Sequence, residues 1–453
     1  MLRSRVNRVG IVVRLRSGKQ HSSVTRDGKQ HLSVTRDRIG SSAALGIVAA
    51  LTVWLQPAAA EAAGRGLPPG PAPFGVPIEF VGFTLMLVGI AVFHRRSFEV
   101  AVGGFAALLM YKMSLSGLDA AAHVGGEWRL ALNLLGLLLG FAILAKHFEE
   151  SRFPEWLPRW LPDGWTGGFA LLVLVAVLST FLDNIAGAVI GGVIAKKVYR
   201  EKVGVGFLAA IVAASNAGGA GSVLGDTTTT MMWVAGVPAL EVAKAFIGAA
   251  VAVTVSGIVA GRAQHRLQPI QKDPRPGLVV DRVRLLIVAL MIAGVVAANV
   301  LIAFPAAGLW VAILAGGLLR PIPWRELTGA LKGGLFLVAL VLAASLMPVE
   351  RLPPPSWPST FGLGFVSAVF DNIPLTALAL FQGGYDWDFV AYAVGYGGSM
   401  IWFGSSAGVA ISNAFPDAKD TRRWLVEGWH VPVAYVLGFF AMLALVGWSP
   451  EVP

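Results

Sequence analysis

Two stretches of the sequence repeat one unusual order of polar residues inside apolar segments. In the first stretch, STFLDNIAGAV at residues 179–189 is followed by SNAGGAGSVLGDTTTTMMW at residues 215–233. In the second, SAVFDNIPLTAL at residues 367–378 is followed by GYGGSMIWFGSSAGVAISN at residues 395–413. A bilayer-spanning helix has no reason to contain an acid, an amide and several glycines unless the backbone opens there to hold something polar. The repeated order therefore indicates the two halves of one ion-binding site.

The composition of the chain is that of a polytopic membrane protein. Of its 453 residues, 55% are hydrophobic and only 14% are charged, and the mean hydropathy is +0.68. Apolar runs of about 18 or more residues, the length that a bilayer requires, recur along most of the sequence. The chain has no cysteine, which excludes a disulfide scaffold, a thiol nucleophile and a metal held by cysteine.

The net charge of +10 does not indicate a nucleic-acid-binding protein, because the excess of Lys and Arg is concentrated in residues 1–60. The basic start contains a tandem duplication, GKQHSSVTRD followed by GKQHLSVTRD, and is either a disordered tail or the product of a start codon placed too far upstream. The apolar run at residues 41–60 ends in Pro-Ala-Ala-Ala, which is typical of a secretory signal peptide. We interpret residues 1–60 as a basic leader with a signal peptide.

The remaining Lys and Arg residues predict how the chain crosses the membrane. Most of them fall in alternate loops, which the positive-inside tendency places in the cytoplasm. The loops on both sides of residues 167–195 are basic, so this segment is expected to enter and leave from the cytoplasm as a re-entrant hairpin with Asp183 and Asn184 near its tip. The segment around Asp371 and Asn372 lies between loops poor in Lys and Arg, so its hairpin is expected to enter from outside.

The order of segments predicts the fold. Ordinary membrane helices are expected at residues 76–93, 98–116, 129–146, 242–261, 283–303, 306–319, 332–348 and 429–448. The second half repeats the order of the first with the opposite orientation, which is typical of secondary transporters. We predict an all-α polytopic membrane protein, an inverted-topology repeat with two opposed re-entrant hairpins and two broken helices, about 10 spans plus 2 hairpins.

The predicted domains follow from this order. They are the leader 1–60, the first transmembrane repeat 61–261, a cytoplasmic basic linker 262–284 and the second inverted repeat 285–453. We expect a multi-pass protein of the cell inner membrane in which both ends of the mature chain lie outside the cytoplasm.

Three acids lie deep in apolar sequence: Asp183, Asp226 and Asp371. An ionised carboxylate there costs several kcal/mol unless it is paired, protonated or bound to a cation. Burial favours the protonated form and an adjacent cation favours the ionised form, so such a group can exchange a proton for Na⁺. We predict that Na⁺ binds at these three carboxyl groups, although any one of them taken alone could instead be a loop acid.

Neutral oxygens accompany the acids. The Asn and Thr side chains suit a hard cation, together with carbonyls freed where a helix unwinds, but they also serve as hydrogen-bonding groups between membrane helices. The predicted neutral ligands are Asn184, Asn216, Thr227, Thr228 and Asn372. The glycines expected to permit the helix breaks are Gly218, Gly219, Gly225, Gly397, Gly398 and Gly404.

An enzymatic interpretation is less consistent with the sequence. Intramembrane aspartyl proteases pair a helix Asp with a Gly-x-Gly-Asp motif, but the residues before Asp226 are Val223, Leu224 and Gly225, so the first glycine is missing. The duplicated breaks also have no place in a protease or in a structural membrane protein. We therefore expect a transporter without a bound cofactor, whose ligands are the transported ions.

At these residues the sequence resembles the ion transporter superfamily, and most of all the NhaD-type sodium/proton antiporters. The resemblance rests on LDNIAGAVI (182–190), NAGGAGSVLGDTTTTMMW (216–233), FDNIPLTAL (370–378) and GGSMIWFGSSAGVAISN (397–413). The Gly/Ser-rich second break is shared more loosely with citrate, dicarboxylate and arsenite carriers.

The resemblance implies a fold of inverted repeats with two opposed hairpins, often as a homodimer, that exchanges Na⁺ or Li⁺ for protons. Carried over residue by residue, it implies a site at Asp183, Asn184, Asp226, Thr227, Thr228, Asp371 and Asn372. The alternative is a cation-coupled carrier of citrate, another dicarboxylate or another anion, in which the acids bind only the coupling ion. The expected partners are inorganic cations, protons, a small carboxylate anion in the alternative, and the lipid bilayer, with no nucleic acid.

Overall fold

Helices make up most of the structure, a computed structural model that describes residues 71–72, 75–93, 96–271 and 279–450. The leader, the predicted signal peptide and the middle of the basic linker lie outside the described residues. Within the described ranges there is no β-strand. The helices of the first half are α1 (Ile78–Val92), α2 (Ser97–Ser116), α3 (Ala120–Gly126), α4 (Trp128–Glu150), α5 (Phe153–Trp156), α6 (Trp165–Leu178), α7 (Asn184–Val198), α8 (Val205–Ala220), α9 (Thr227–Val234), α10 (Ala239–Ala243) and α11 (Ala245–Leu267).

The second half of the chain contains the same kinds of element in the same order. Its helices are α12 (Arg282–Ile302), α13 (Pro305–Gly316), α14 (Glu326–Ala344), α15 (Trp357–Ser367), α16 (Asn372–Gln382), α17 (Trp387–Gly397), α18 (Ser406–Ala414), α19 (Thr421–Glu427) and α20 (His430–Leu445). The all-helical fold predicted from the sequence is confirmed. The short helices α3, α5 and α19 were not predicted, because none is long enough to give an apolar period of its own.

The lengths of the helices agree with a multi-pass membrane protein. Among the described residues, five helices are long and apolar enough to cross a membrane, and the pair α19 and α20, bent by 56°, makes a sixth. Those five are Ser97–Leu115, Trp128–Glu150, Ala239–Leu267, Arg282–Ile302 and Glu326–Ala344. Four shorter apolar helices, α1, α6, α8 and α13, have 10–17 residues each.

Both predicted hairpins and both predicted breaks are present. The first hairpin is α6 and α7, which turn at residues 179–183, and the second is α15 and α16, which turn at residues 368–371. The first broken pair is α8 and α9, separated by residues 221–226, and the second is α17 and α18, separated by residues 398–405. The Asp-Asn dipeptides therefore mark hairpin turns, and the glycine-rich segments mark helix breaks, in both halves.

Equivalent helices of the two halves make equivalent packing contacts. Helix α1 packs on α2 as α12 packs on α13, and α6 packs on α8 as α15 packs on α17. Helix α7 of the first hairpin contacts α18, and α16 of the second hairpin contacts α9. Each hairpin therefore contacts the broken pair of the other half. The pairs α4 with α14, α8 with α17, and α11 with α20 join equivalent helices of the two halves.

The close approach of hairpin and broken pair depends on glycine. A Cβ atom on Gly218 of α8 would overlap the carbonyl oxygen of Ala176 in α6, and a Cβ atom on Gly397 of α17 would overlap that of Gly364 in α15. Both obstacles are backbone atoms of a packed helix, which cannot rotate away as a side chain can. The two glycines thus fix how deeply each hairpin sits against its own broken helix.

We expect Gly218→Ala to destabilise the protein and Gly333→Ala to leave it intact. Both are glycines inside a helix, where alanine alone favours the helix by about 1 kcal/mol. A Cβ atom on Gly333 meets nothing within 4 Å, whereas at Gly218 the overlap should cost about 1–3 kcal/mol. Thermal unfolding of the two purified variants in detergent measures the difference, and equal stabilities would contradict the packing described here.

The start of the second repeat is held to the first by charged groups. Asp281 caps α12 by accepting hydrogen bonds from the backbone N–H groups of Val283 and Arg284 (3.0 and 3.3 Å). A hydrogen bond from Arg320 Nε (2.9 Å) lowers the pKa of Asp281 below its ordinary value. Arg284 Nη2 lies 2.7 Å from Glu150 Oε2 at the end of α4. The ends of α4, α12 and α13 are therefore joined beside the basic linker.

A buried ion pair joins α1 to α2. The Nζ atom of Lys112 lies 2.7 Å from Oε1 of Glu79, and the two side chains are 1% and 0% exposed. The Lys112 side chain does not extend toward the membrane surface but turns inward to its partner. The pair cannot be recognised from the sequence, because its two residues are 33 positions apart and only the packing of α1 on α2 brings them together.

Lys112→Met should be strongly destabilising, because it leaves the Glu79 carboxylate buried without the positive charge. Removing one member of a buried pair costs about 3–5 kcal/mol, while an exposed pair contributes about 1 kcal/mol or less. The matched control is Lys332→Met, which breaks the exposed pair with Glu99 (3.2 Å; side chains 57% and 55% exposed).

The double variant Glu79→Gln with Lys112→Met should recover most of the stability lost in Lys112→Met, since it leaves no buried charge. Thermal unfolding in detergent compares the four proteins. Equal losses of stability in Lys112→Met and Lys332→Met would show that the buried pair of Glu79 and Lys112 stabilises the protein no more than an exposed pair does.

Candidate functional site

Four helices begin at the centre of the molecule, and their N-cap residues are the core of the candidate site. Asp183 precedes α7, Asp226 precedes α9, Asp371 precedes α16 and Ser405 precedes α18. Short polar side chains are favoured at this position because they accept hydrogen bonds from the free N–H groups of the first turn. The three predicted acids therefore occupy equivalent positions, with a serine at the fourth, but the side chain of Asp183 makes no capping hydrogen bond, whereas those of Asp226, Asp371 and Ser405 do.

Asp226 is the most enclosed of the three acids, with 3% of its surface exposed. Its Oδ1 atom accepts a hydrogen bond from the backbone N–H of Thr228 (3.1 Å). Its Oδ2 atom accepts one from Nδ2 of Asn372, the residue that begins the second hairpin's inner helix (3.4 Å). Asp371 accepts a hydrogen bond from the N–H of Ile373 (3.0 Å), so the tip of this hairpin lies beside Asp226.

The tip of the first hairpin contacts a different set of groups, all of them neutral. Nδ2 of Asn184 donates to Oδ1 of Asn216 (3.2 Å), and Nδ2 of Asn216 donates to the hydroxyl oxygens of Ser399 and Ser405 (3.0 and 3.1 Å). Ser405 also accepts a hydrogen bond from the N–H of Gly408 as the cap of α18 (3.2 Å). Asn216 thus connects the first hairpin to the second broken pair.

A narrow crevice joins the two acids of the first half. Asp183 and Asp226 both line it, together with Thr227 and Thr230 of α9. Its apolar wall is formed by Leu224 and by residues of α4, namely Leu134, Leu137, Leu138 and Phe141. The lining residues include no Lys or Arg. The contribution of α4 was not predicted, because an ordinary apolar helix carries no sequence signal for the surface that it faces.

The four threonines after Asp226 divide into two functional pairs. The hydroxyl of Thr229 donates to the carbonyl oxygen of Ser222 (2.6 Å), and that of Thr230 donates to the carbonyl oxygen of Val223 (2.8 Å). These carbonyls belong to the break, where no helical N–H reaches them. Thr227 lines the crevice, and the buried hydroxyl of Thr228 faces the carboxyl group of Asp226 rather than a carbonyl of the break. Thr227 and Thr228 are therefore the pair with oxygens available to a ligand.

The predicted glycines lie where the backbone turns away from the helix. A Cβ atom on Gly219 would lie 2.7 Å from the carbonyl oxygen of Gly225, and one on Gly398 would lie 2.8 Å from that of Gly404. The two breaks therefore fold back on themselves in the same way. Both Gly225 and Gly404 also approach the turn of the hairpin in their own half, at the carbonyl oxygens of Ser179 and Ala368.

The three acids are not gathered into one metal centre. Within the described ranges, no group of three or more His, Cys, Asp or Glu side chains is close enough to hold a metal ion. The assignment of Na⁺ to Asp183, Asp226 and Asp371 stays a prediction. Sequence analysis missed four serines of the network, Ser179, Ser215, Ser399 and Ser405. Only their position in the two polar stretches pointed to them, and small hydroxyl residues are common in membrane helices.

Comparison with known proteins assigns the family. Residues 76–397 match a family described as "Citrate transporter", which is more than half of the chain. The chain belongs to the citrate transporter family. This agrees with the superfamily that the two polar stretches resemble, and with a multi-pass transporter rather than a membrane enzyme.

Two relatives of this member of the citrate transporter family have been described as antiporters. The present chain is 26% identical over 340 residues to "Sodium/proton antiporter 1" of Arabidopsis thaliana, an alignment that covers 64% of this chain and 56% of the relative. It is 27% identical over 293 residues to "Sodium/proton antiporter 2" of the same plant, covering 54% of this chain and 68% of the relative. The match thus spans little more than half the length of the first relative.

Ser405→Ala should destabilise the site, whereas Ser406→Ala should not. Alanine at position 405 removes the N-cap of α18, a loss of about 1 kcal/mol, and deprives Asn216 of one acceptor. The neighbouring Ser406 is the first residue of α18 and serves as a matched control. Thermal unfolding in detergent should separate the two variants by several degrees, and identical curves would contradict the network around Asn216.

Proposed function

We propose that this transporter exchanges Na⁺ or Li⁺ for protons across the inner membrane. The observation that carries the proposal is the environment of Asp226, a buried carboxyl group at a helix break. It shares a crevice with a second acid, Asp183, and no Lys or Arg is among the residues that line this crevice. A cation or a proton is the ligand that such a carboxyl group needs to be stable away from water.

The neutral groups around Asp226 support a hard cation. The hydroxyls of Thr227 and Thr228, the amide of Asn372 and the carbonyls of the break offer oxygen atoms of the kind that bind such ions. Because the carboxyl group can hold either the cation or a proton, binding of one displaces the other. Alternate binding at a site that opens to each side in turn produces antiport.

The residues at the N-cap positions of the four helices argue against an anion as the main substrate. Helix N-termini attract anions, and in the alternative function they would hold the carboxylates of citrate or a dicarboxylate. Here Asp183, Asp226 and Asp371 stand at three of the four N-cap positions, so an anion would lie beside three carboxyl groups. The family description nevertheless keeps cation-coupled transport of citrate as the second candidate function.

Asp226→Asn should abolish exchange while the protein stays folded, because asparagine is as good an N-cap as aspartate but cannot alternate between charge and proton. The measurement uses everted vesicles in which respiration has built a pH gradient reported by a quenched dye. Addition of Na⁺ or Li⁺ should restore fluorescence with the wild-type protein and not with the variant. Asp417→Asn is the matched control, since the side chain of Asp417 is 81% exposed and is not among the residues that line the crevice.

Two outcomes would overturn the assignment. Full exchange in folded Asp226→Asn would remove Asp226 from the mechanism. Absence of a response to any cation, together with uptake of labelled citrate driven by a Na⁺ gradient, would establish the second candidate function instead.

A further inference from the structure

A second group of buried acids lies at the opposite end of α17 from the helix break. Asp386 is the N-cap residue of this helix, and Asp388 is its second residue. Their side chains are 4% and 1% exposed. The helix has 11 residues, so about 16 Å of its axis separates this end from the break at Gly398. These acids are therefore distinct from the candidate transport site.

The two acids have different partners. The Oδ2 atom of Asp386 accepts a hydrogen bond from the backbone N–H of Ser449 (2.7 Å), in the segment that follows α20. The Asp388 carboxyl group lies beside the carboxyl group of Asp386 and the backbone N–H of Phe389, but neither of its oxygens makes a hydrogen bond of good geometry. An ionised carboxylate without hydrogen bonds is among the costliest groups to bury, whereas a protonated one is not.

Positive charge near the pair is limited. Lys244, at the start of α11, is the base that acts on Asp388, and its ammonium group is already paired with Glu241 of α10. Of the helices packed on α17, the helices α8, α9, α15 and α16 contain no charged residue. Helix α11 carries Arg262, His265 and Arg266 near its other end, and α20 carries Tyr435 and, at its other end, His430. Lys244 is thus the one nearby base for three acids, Glu241, Asp386 and Asp388, among the described residues.

We propose that Asp386 and Asp388 form a proton-binding carboxyl pair, separate from the transport site, whose proton keeps residues 446–450 docked on the start of α17. Asp386 carries the negative charge, because it accepts the Ser449 hydrogen bond and lies at the positive end of the helix. Asp388 carries the proton. Two adjacent carboxyl groups that bind one proton between them are stable together when two carboxylates are not.

The docked segment is the part that responds to loss of the proton. It makes the Ser449 hydrogen bond, and its Trp448 ring packs on Phe389 with ring centroids 5.5 Å apart. When both carboxyl groups are ionised they repel each other, and water between them weakens this repulsion. Movement of the short segment 446–450 admits that water while exposing less apolar surface than movement of a whole helix would. The pair then acts as a pH-dependent clasp on the helix that leads to the second break.

Infrared spectroscopy tests the proton directly. The difference between wild type and Asp388→Asn at neutral pH should contain the carbonyl band of one protonated carboxyl group, which shifts in deuterated water. Other buried acids such as Asp226 cancel in this difference, and Asp417→Asn provides the control for an exposed carboxylate. A difference spectrum without that band would mean that Asp388 is ionised and would overturn the proposal.

Asp386→Asn tests the coupling and remains informative if Asp388→Asn fails to fold. In this variant the band should persist but disappear at a lower pH than in wild type, because the neighbouring negative charge is gone. Disappearance at the same pH would show that the two groups do not act as a pair.

Hydrogen–deuterium exchange tests the clasp. Above the pH at which the infrared band disappears, the peptide that contains Ser449 should exchange several-fold faster in wild type than in Asp388→Asn at the same pH. Equal exchange would overturn the link between the proton and docking. Asp226→Asn should leave the band and this exchange unchanged even though it abolishes transport, so failure of the clasp and failure of the proposed antiport can be told apart.

Discussion

A membrane protein cannot leave backbone groups unpaired in lipid, and every irregular segment of this structure is arranged around that constraint. The two helix breaks free carbonyl oxygens in the middle of the molecule. Thr229 and Thr230 supply hydroxyl donors to two of them, at Ser222 and Val223, and the serine hydroxyl of Ser222 donates in turn to the carbonyl of Thr180 in the hairpin turn. The hydroxyl groups of these residues thus take the place of the helical N–H groups that the break lacks.

The same arrangement explains why the two repeats are similar in structure but different in charge. Each hairpin contacts the broken pair of the other repeat, and the residue that caps the second helix of that pair is Asp226 in one case and Ser405 in the other. Asn372 therefore meets a carboxyl group, whereas the partners of Asn184 lead through Asn216 to two serines. The repeat supplies the geometry, and one residue in each half decides whether the cap is a carboxyl group or a neutral hydroxyl.

Buried charge outside the transport site follows two patterns. Glu79 and Lys112 neutralise each other across neighbouring helices. Asp386 and Asp388 have only Lys244 nearby as a positive group, which is already paired with Glu241, and in our proposal they depend on a proton instead. A fixed ion pair is insensitive to moderate changes of pH, but a carboxyl pair is not. The first therefore serves only stability, and the second is suited to regulation.

The sequence by itself determined the order of the long apolar helices, the two hairpins and the two breaks, because apolar length and the Asp-Asn and glycine-rich segments are local signals. It also singled out Asp183, Asp226 and Asp371 as candidates, since an acid in an apolar run is rare. Only the tertiary structure decided which hairpin meets which break, the inward turn of Lys112, the apolar wall from α4 and the network of serines. Those features depend on contacts between residues far apart in the chain, and small or apolar residues carry no local mark of the neighbour they will meet.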